Sequence, residues 1–219
     1  MIERPSPNFD VRAAPVDILL LHYTGMQSAE AALQRLCDPI AKVSCHWLIE
    51  EDGTIHRLVP EAMRAWHAGQ SFWAGERDIN SRAIGIELVN PGHEWGYRAF
   101  PMAQMEALAD LAAGILARHT IPSTRVLGHS DVAPARKQDP GELFDWAWLA
   151  RHGVGLWPEA DAPVEPGDPA ALLVGIGYEA ATPETISAFQ RRYRPSLING
   201  TIDDETGRRI AEIASLHGI

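Results

Sequence analysis

Two apolar runs that each end in a histidine restrict the fold of this chain more than any other feature. Residues 17–21 read Asp-Ile-Leu-Leu-Leu and are followed by His22, and residues 126–128 read Val-Leu-Gly and are followed by His129. A continuous apolar run is typical of a strand that is buried on both faces, as in the sheets of α/β proteins. The sequence therefore predicts a buried sheet that carries histidines at its strand ends.

The segment after His129 contains two more chemically useful side chains, Lys137 and Asp139. Prolines and glycine in this segment predict a loop. Two histidines and one carboxylate at strand ends or in loops form the ligand set of an open catalytic zinc site, whose fourth position is left to water. Because nine histidines offer many pairs, spacing alone leaves a packed or solvated role for His129 open.

Other elements follow from periodicity, caps and turn residues. Residues 1–15 contain three prolines and are expected to form an extended arm. Ser28 can cap a helix that runs to about residue 37. The further predictions are a hairpin at 43–59, a strand at 83–89, a long helix at 101–119 and helices at 169–176, 183–193 and 203–216.

The fold class expected from this pattern is α/β, a mixed central β-sheet flanked by helices, plus a small C-terminal three-helix domain. The length of 219 residues allows two unequal domains. Prolines and acidic residues at 153–168 predict a linker. The expected division is therefore a catalytic domain at 1–152, the linker at 153–168 and a helical domain at 169–219.

Composition restricts the partners and the compartment. A formal net charge of -10 argues against nucleic acid or an anionic membrane as a general partner. No apolar run is long enough to span a bilayer, and the first fifteen residues carry four charges without an apolar export signal. We expect a cytosolic protein, or a periplasmic one if an export signal was trimmed, and a monomer.

Five motifs follow one another along roughly residues 15–150. They are His-Tyr-Thr at 22–24, Val-Ser-Cys-His-Trp-Leu-Ile-Glu-Glu-Asp-Gly at 43–53, Ala-Trp-His-Ala-Gly at 65–69, Ile-Gly-Ile-Glu-Leu-Val-Asn at 84–90, and Gly-His-Ser-Asp-Val-Ala-Pro-Ala-Arg-Lys-Gln-Asp-Pro-Gly at 128–141. In these motifs and their order the chain resembles the zinc N-acetylmuramoyl-L-alanine amidases, the bacterial enzymes related to peptidoglycan recognition proteins and phage amidases.

The resemblance implies a ligand set and a catalytic pair. Zn²⁺ would be held by His22, His129 and Asp139. Glu87 stands alone as a carboxylate within an apolar strand, where burial can raise its pKa into the range of a general base. Lys137 would stabilise the oxyanion that forms during amide hydrolysis.

Five residues are candidates for substrate contact. The resemblance places His67 at the substrate groove, and Trp66 and Trp73 offer aromatic faces for a sugar or a stem peptide. The alternative for the two tryptophans is closure of the core beneath a long loop. Asn80 and Arg82 could donate to a peptide carboxylate or an acetamido group, and their alternative is the stabilisation of a turn.

The expected function is hydrolysis of the amide between N-acetylmuramic acid and L-alanine in peptidoglycan or its muropeptide fragments. Non-catalytic recognition of peptidoglycan is the alternative, and the complete set of ligands favours the enzyme. Residues 169–219 resemble a peptidoglycan-binding module, although a helical bundle that only buttresses the catalytic domain would look the same. His46 and His56 are expected to be structural, and Cys45 stands where a tyrosine occurs in phage members.

Overall fold

The computed structural model describes residues 1–158 and 167–219. Within these residues the strands are β1 (Ile2–Glu3), β2 (Phe9–Val11), β3 (Ile18–Tyr23), β4 (Trp47–Ile49), β5 (Ile55–Arg57), β6 (Met63–Ala65), β7 (Ala83–Leu88) and β8 (Val126–Gly128). The α-helices are α1 (Ala29–Cys37), α2 (Ile79–Arg82), α3 (Gly92–Trp95), α4 (Met102–His119), α5 (His129–Val132), α6 (Trp146–Arg151), α7 (Pro169–Ile176), α8 (Pro183–Tyr193) and α9 (Asp204–Leu216). A 3₁₀ turn covers Ser123–Arg125.

Six strands form a mixed central sheet in the order β1-β5-β4-β7-β3-β8. Only the β4–β5 hairpin is antiparallel among these pairs, and the neighbours β4–β7, β7–β3 and β3–β8 are parallel. β2 and β6 form a separate antiparallel pair. The carboxyl ends of β3, β7 and β8 therefore meet at one edge of the sheet, which is where open α/β sheets place their ligands.

Strand β3 is apolar because helices cover both faces of the sheet. Leu19 and Leu21 share one core cluster with Met105 and Leu108 of α4. The alternate residues Ile18 and Leu20 face the opposite side, and Ile18 to Leu21 are all fully buried. A strand buried on both faces needs an apolar residue at every position, which explains the continuous run in the sequence.

The C-terminal helices cover that opposite face. Leu173 of α7, Phe189 of α8 and Ile210 of α9 belong to the same apolar cluster as Ile18 and Leu20. The three helices begin at side-chain caps provided by Asp168, Thr182 and Asp203, as the sequence predicts. The helical region thus shares a hydrophobic core with the sheet.

Two segments differ from the sequence predictions. Residues 1–15 were expected to be an arm without strands, but β1 pairs with β5 and β2 pairs with β6. Arg12 anchors this segment by donating to the carbonyl oxygens of Glu61, Asn80 and Ala83. The segment after His129 begins as the short helix α5 and not as a loop.

Part of the predicted linker cannot be compared with the structure, because residues 159–166 lie outside the described residues. The mixed α/β architecture and the three C-terminal helices agree with the predicted fold class. Among the helices of the described segments, none combines the length and the apolarity that crossing a membrane requires.

Candidate metal centre and active site

The register of the parallel strands places the predicted site residues side by side. His22 lies opposite Glu87 in the β3–β7 pair, and Leu21 lies opposite Gly128 in the β3–β8 pair. His129 follows Gly128 directly and begins α5. Three neighbouring strand ends therefore supply His22, Glu87 and His129 to one point.

Three donor atoms converge at this point. The Nδ1 atoms of His22 and His129 are 2.9 Å apart, and Asp139 Oδ2 lies 3.1 Å and 3.0 Å from them. All three side chains are buried. Ligands at about 2.0–2.2 Å from a tetrahedral zinc ion would be about 3.3 Å apart, close to this spacing.

The other ring nitrogen of each histidine has its own partner. His129 Nε2 donates to the carbonyl oxygen of Ala68 over 3.0 Å. His22 Nε2 lies 3.1 Å from His67 Nδ1. Protons on the two Nε2 atoms leave both Nδ1 lone pairs directed at the same point as the carboxylate, and outer partners of this kind are typical of metal-binding histidines.

The electrostatics of the three groups suit a cation. Burial, and then the neighbouring His129, lower the pKa of His22 to about 4, so its imidazole is neutral near pH 7. Burial alone would raise the pKa of Asp139, but His129 and His22 hold it well below its usual range. Two imidazole nitrogens and one carboxylate oxygen, buried and facing one another, fit a divalent metal ion.

A cleft of about 190 Å³ opens beside these donors. Glu87 and Lys137 line it together with His129 and Asp139. Burial, and then the Asp139 carboxylate, raise the pKa of Glu87 well above its usual value, whereas Lys137 acts in the opposite direction. Glu87 Oε2 is buried and has no hydrogen-bond partner among the described residues, which leaves it available to a molecule in the cleft.

Two of the predicted substrate contacts, Trp66 and His67, also line the cleft. The His67 ring packs directly over Gly85, where an added Cβ would lie 2.6 Å from a ring atom. Glycine is therefore required at position 85 for the histidine to reach His22. His67 Nδ1 contacts the Nε2 atom of His22, and the contact of His67 with substrate stays a prediction.

The structure places the other three predicted contacts away from the cleft. Trp73 is 2% exposed and packs against Tyr178. It therefore closes the core beneath a loop, which was the alternative to a contact with substrate. Asn80 is buried, and its side-chain oxygen accepts from the backbone N–H groups of His67 and Ala68. Arg82 pairs with Asp17 near the amino-terminal ends of β3 and β7, across the sheet from the site.

Cys45 lies in an apolar cluster with Leu36 and Leu48 and is fully buried. Burial, and then the nearby Glu87, raise the pKa of its thiol well above the usual value. Cys45 is not among the residues that line the cleft beside the donor atoms. His56 is also buried and pairs with Glu50 on the adjoining strand region, away from the donors.

His46 is a buried neutral histidine whose Nδ1 accepts from the Gly85 N–H. Burial, and then the Arg12 guanidinium, lower its pKa from 6.5 to about 3. The unfolded chain therefore takes up this proton first, and acidification favours unfolding. The stabilisation from this group is complete above about pH 6.5 and falls by about 1.4 kcal/mol per pH unit below that value.

We therefore expect His46→Gln to lose stability less steeply on acidification than the wild type. Urea unfolding of both zinc-free proteins between about pH 7 and pH 4 measures the two slopes. Parallel slopes would contradict a neutral His46 in the folded state.

The residues that support the segment around His129 were not predicted from the sequence. Asp131 accepts from the Gly128 N–H, from Tyr178 and from Arg192. Tyr178 and Arg192 lie in the C-terminal helical region, more than 45 residues away from Asp131. Only the position of Asp131, two residues after a candidate ligand, was a signal available in the sequence.

A sequence model of the N-acetylmuramoyl-L-alanine amidase family matches residues 12–142. The chain belongs to this family. It is 39% identical to the N-acetylmuramoyl-L-alanine amidase AmiD of Escherichia coli K12 over 228 residues, which cover 90% of this chain and 81% of the relative. The matched segment contains the donors His22, His129 and Asp139 together with Glu87 and Lys137.

Two solved structures of amidases are similar over nearly the whole chain. A complex of E. coli AmiD with anhydro-N-acetylmuramic acid-L-Ala-D-gamma-Glu-L-Lys has a TM-score of 0.82 at 37% identity and covers 95% of this chain and 93% of its own. AmpDh3 of Pseudomonas aeruginosa in complex with anhydromuramic pentapeptide has a TM-score of 0.83 at 29% identity, covering 92% of each chain. The predictions of the family, of an amidase and of its mixed α/β fold are confirmed.

Proposed function

We propose that this chain hydrolyses the amide bond between N-acetylmuramic acid and L-alanine in muropeptides, with Zn²⁺ held by His22, His129 and Asp139. The convergence of three buried donor atoms at 2.9–3.1 Å carries this proposal, together with the nearby Glu87, whose Oε2 atom has no hydrogen-bond partner among the described residues. The substrate class is supported by the two similar amidases whose structures contain anhydro-muramoyl peptides.

Zinc suits this donor set better than the harder divalent ions. Imidazole nitrogens favour zinc and other transition metals, whereas Mg²⁺ and Ca²⁺ prefer oxygen ligands alone. Three protein ligands also leave one position open for a small molecule. When bound at such a site, zinc acts as a Lewis acid and lowers the pKa of water to about 7.

Glu87 is proposed as the group that removes a proton from the attacking water. Its carboxylate lies at the cleft beside Asp139, and its raised pKa lets it hold that proton until the leaving amine needs it. The register with His22 fixes its distance from the donor atoms, because the two residues are directly paired across β3 and β7. A rigid sheet that holds the Glu87 carboxylate in one orientation contributes more to proton transfer than the acidity of the carboxyl group alone.

Lys137 is proposed as the cation that stabilises the negative charge on the carbonyl oxygen during attack. It lines the cleft on the loop that also carries Asp139, and it bonds through its backbone N–H to Ala133 at the end of α5. The backbone of the loop is therefore fixed while the ammonium group can reach the substrate. A complete ligand set together with Glu87 and Lys137 favours catalysis over simple recognition.

Lys137→Ala is expected to lower turnover about 10²- to 10³-fold, as the loss of an oxyanion-stabilising donor does in other hydrolases. Bound zinc should be unchanged, because Lys137 is not among the donor atoms. Gln138→Ala, an exposed neighbour on the same loop, is the matched control. Leakage of zinc from Lys137→Ala would instead assign Lys137 to the support of the loop.

Mass spectrometry of reaction products tests the whole proposal. The zinc-loaded protein is incubated separately with intact sacculi and with purified 1,6-anhydro-muropeptides, and a chelated sample serves as the control. We expect release of free stem peptide only without chelator. The preferred substrate would distinguish wall remodelling from the turnover of fragments. Retained binding to sacculi with no release from either substrate would contradict the amidase and favour a recognition protein.

A further inference from the structure

A buried ionic network joins the C-terminal helices to the segment that carries His129. Asp131, Tyr178 and Arg192 form this network, and each is 5% exposed or less. Arg192 Nη1 donates to Asp131 Oδ2 over 2.7 Å, and the Tyr178 hydroxyl donates to Asp131 Oδ1 over 2.8 Å. Both oxygens of one buried carboxylate are therefore bound by residues from the helical region.

Asp131 transmits this contact to the metal ligands through the backbone. Its Oδ2 also accepts from the Gly128 N–H over 2.8 Å, directly before His129. The Ser130 N–H, directly after His129, donates to the carbonyl oxygen of Asp139 over 2.9 Å. His129 thus lies between Gly128, whose N–H is bound by Asp131, and Ser130, whose N–H is bound by Asp139.

Arg192 also contacts the strand that leads to His129. Its Nη2 donates to the carbonyl oxygen of Val126 in β8 over 3.0 Å. The guanidinium carbon also lies 3.9 Å from the centroid of the Trp146 ring, at the start of α6. A buried arginine in this position has few alternative partners, because a guanidinium remains charged and must be paired when it is desolvated.

The conformation of the segment around His129 therefore depends strongly on contacts with the C-terminal helices. Removing one partner of a buried ion pair leaves the other charge desolvated and unpaired, which is far more harmful than the loss of a surface pair. Asp131 without its partners would turn towards water. That movement would displace Gly128 and, with it, the imidazole of His129.

We propose that Arg192 and Tyr178 are positioning residues for His129 and act through Asp131. The C-terminal helices would then form part of the metal-binding apparatus, in addition to any contact with peptidoglycan. This inference rests on the proposed metal site. It predicts that damage to the network weakens metal binding even where the chain stays folded.

Zinc affinity of the full-length chain is the direct readout. We expect Tyr178→Phe, which keeps the ring packed against Trp73, to raise the zinc dissociation constant about tenfold, at the low end for loss of an outer partner. Arg192→Met should raise it by up to about 100-fold. Competition with a chromogenic chelator measures both values.

Arg77→Gln is the matched control. Arg77 and Glu179 form a second ion pair between the catalytic domain and the helical region, but both side chains are more than half exposed. Exposed pairs contribute little to stability, and this one has no contact with Asp131. Its zinc dissociation constant should stay within about twofold of wild type.

Thermal unfolding of the zinc-free variants separates positioning from general support. A lower unfolding temperature with an unchanged zinc dissociation constant in Tyr178→Phe would overturn the inference. A weaker zinc affinity in a variant that stays folded at the assay temperature would support it. Tyr178→Phe keeps this comparison available if Arg192→Met does not fold.

A double-mutant cycle tests the route through Asp131. Asp131→Ala with Tyr178→Phe should bind zinc no more weakly than Asp131→Ala alone, because both changes remove the hydrogen bond between Tyr178 and Asp131. Additive losses would contradict that route.

The zinc titration of the wild-type chain tests the metal assignment itself. A wild-type chain that took up no zinc would overturn the metal assignment and this inference with it. Zinc binding without product release would contradict only the proposed reaction.

Discussion

Asp139→Ala is expected to leave the chain without tightly bound zinc and without amidase activity. Asp139 supplies the single negative charge of the donor set, and its Oδ2 lies within 3.1 Å of both imidazole Nδ1 atoms. The loss of an outer partner alone weakens metal binding about 10- to 100-fold, so the loss of a ligand should exceed about 100-fold. Zinc content after dialysis and the release of stem peptide measure the two effects.

Glu142→Ala is the matched control for this variant. Glu142 is a carboxylate three residues further along the same loop, and it pairs with His93 outside the donor set. It should keep its zinc. In the zinc-free chain Asp139 interacts favourably with His129 and His22, which hold its pKa below the usual range, so Asp139→Ala should unfold at a somewhat lower temperature. Thermal unfolding of the zinc-free variant therefore establishes that it is folded before zinc contents are compared. Normal zinc content and turnover in folded Asp139→Ala would remove Asp139 from the site.

The elements that the sequence predicted well are those specified by local pattern. β3 is apolar at every position because both of its faces are covered, and the helices at the C-terminus begin at recognisable caps. β1 and β2 could not be predicted in this way. They are two and three residues long, mostly exposed, and formed by pairing with strands more than 50 residues away. Such pairing depends on tertiary context, which a short sequence window does not contain.

The candidate site was likewise predicted only where a sequence motif specified it. Family motifs identified the donors and Glu87, and the strand register explains why residues so distant in sequence meet. The roles of Trp73 and Asn80 depended instead on the direction in which each side chain turns, from a loop for Trp73 and from α2 for Asn80. Both turn inwards, one to the core and one to the backbone of the loop at His67. The buried position of Arg192 could not be predicted from the sequence, because an arginine on a helix normally faces solvent.

Glu87→Gln is expected to keep its zinc and to lose turnover by about 10²- to 10⁴-fold, the usual contribution of a positioned general base. Glutamine has nearly the same shape but cannot take the proton from water. Glu87 is not among the donor atoms, so metal content should match the wild type. Steady-state rates with a muropeptide substrate and the zinc content of the same preparation measure both quantities.

Stability provides an independent check on this variant. Glu87 Oε2 is buried without a partner among the described residues, so the charged form is held in an unfavourable environment that function requires. A neutral amide removes that charge, and Glu87→Gln should therefore unfold at the same temperature as the wild type or at a higher one. Glu50→Gln, which alters a glutamate on a neighbouring strand end paired with His56, should keep full turnover. Near-normal turnover in zinc-loaded Glu87→Gln would exclude Glu87 as the base. A metal-loaded variant with slower turnover and a higher unfolding temperature would show that this carboxylate is retained for proton transfer at the expense of stability.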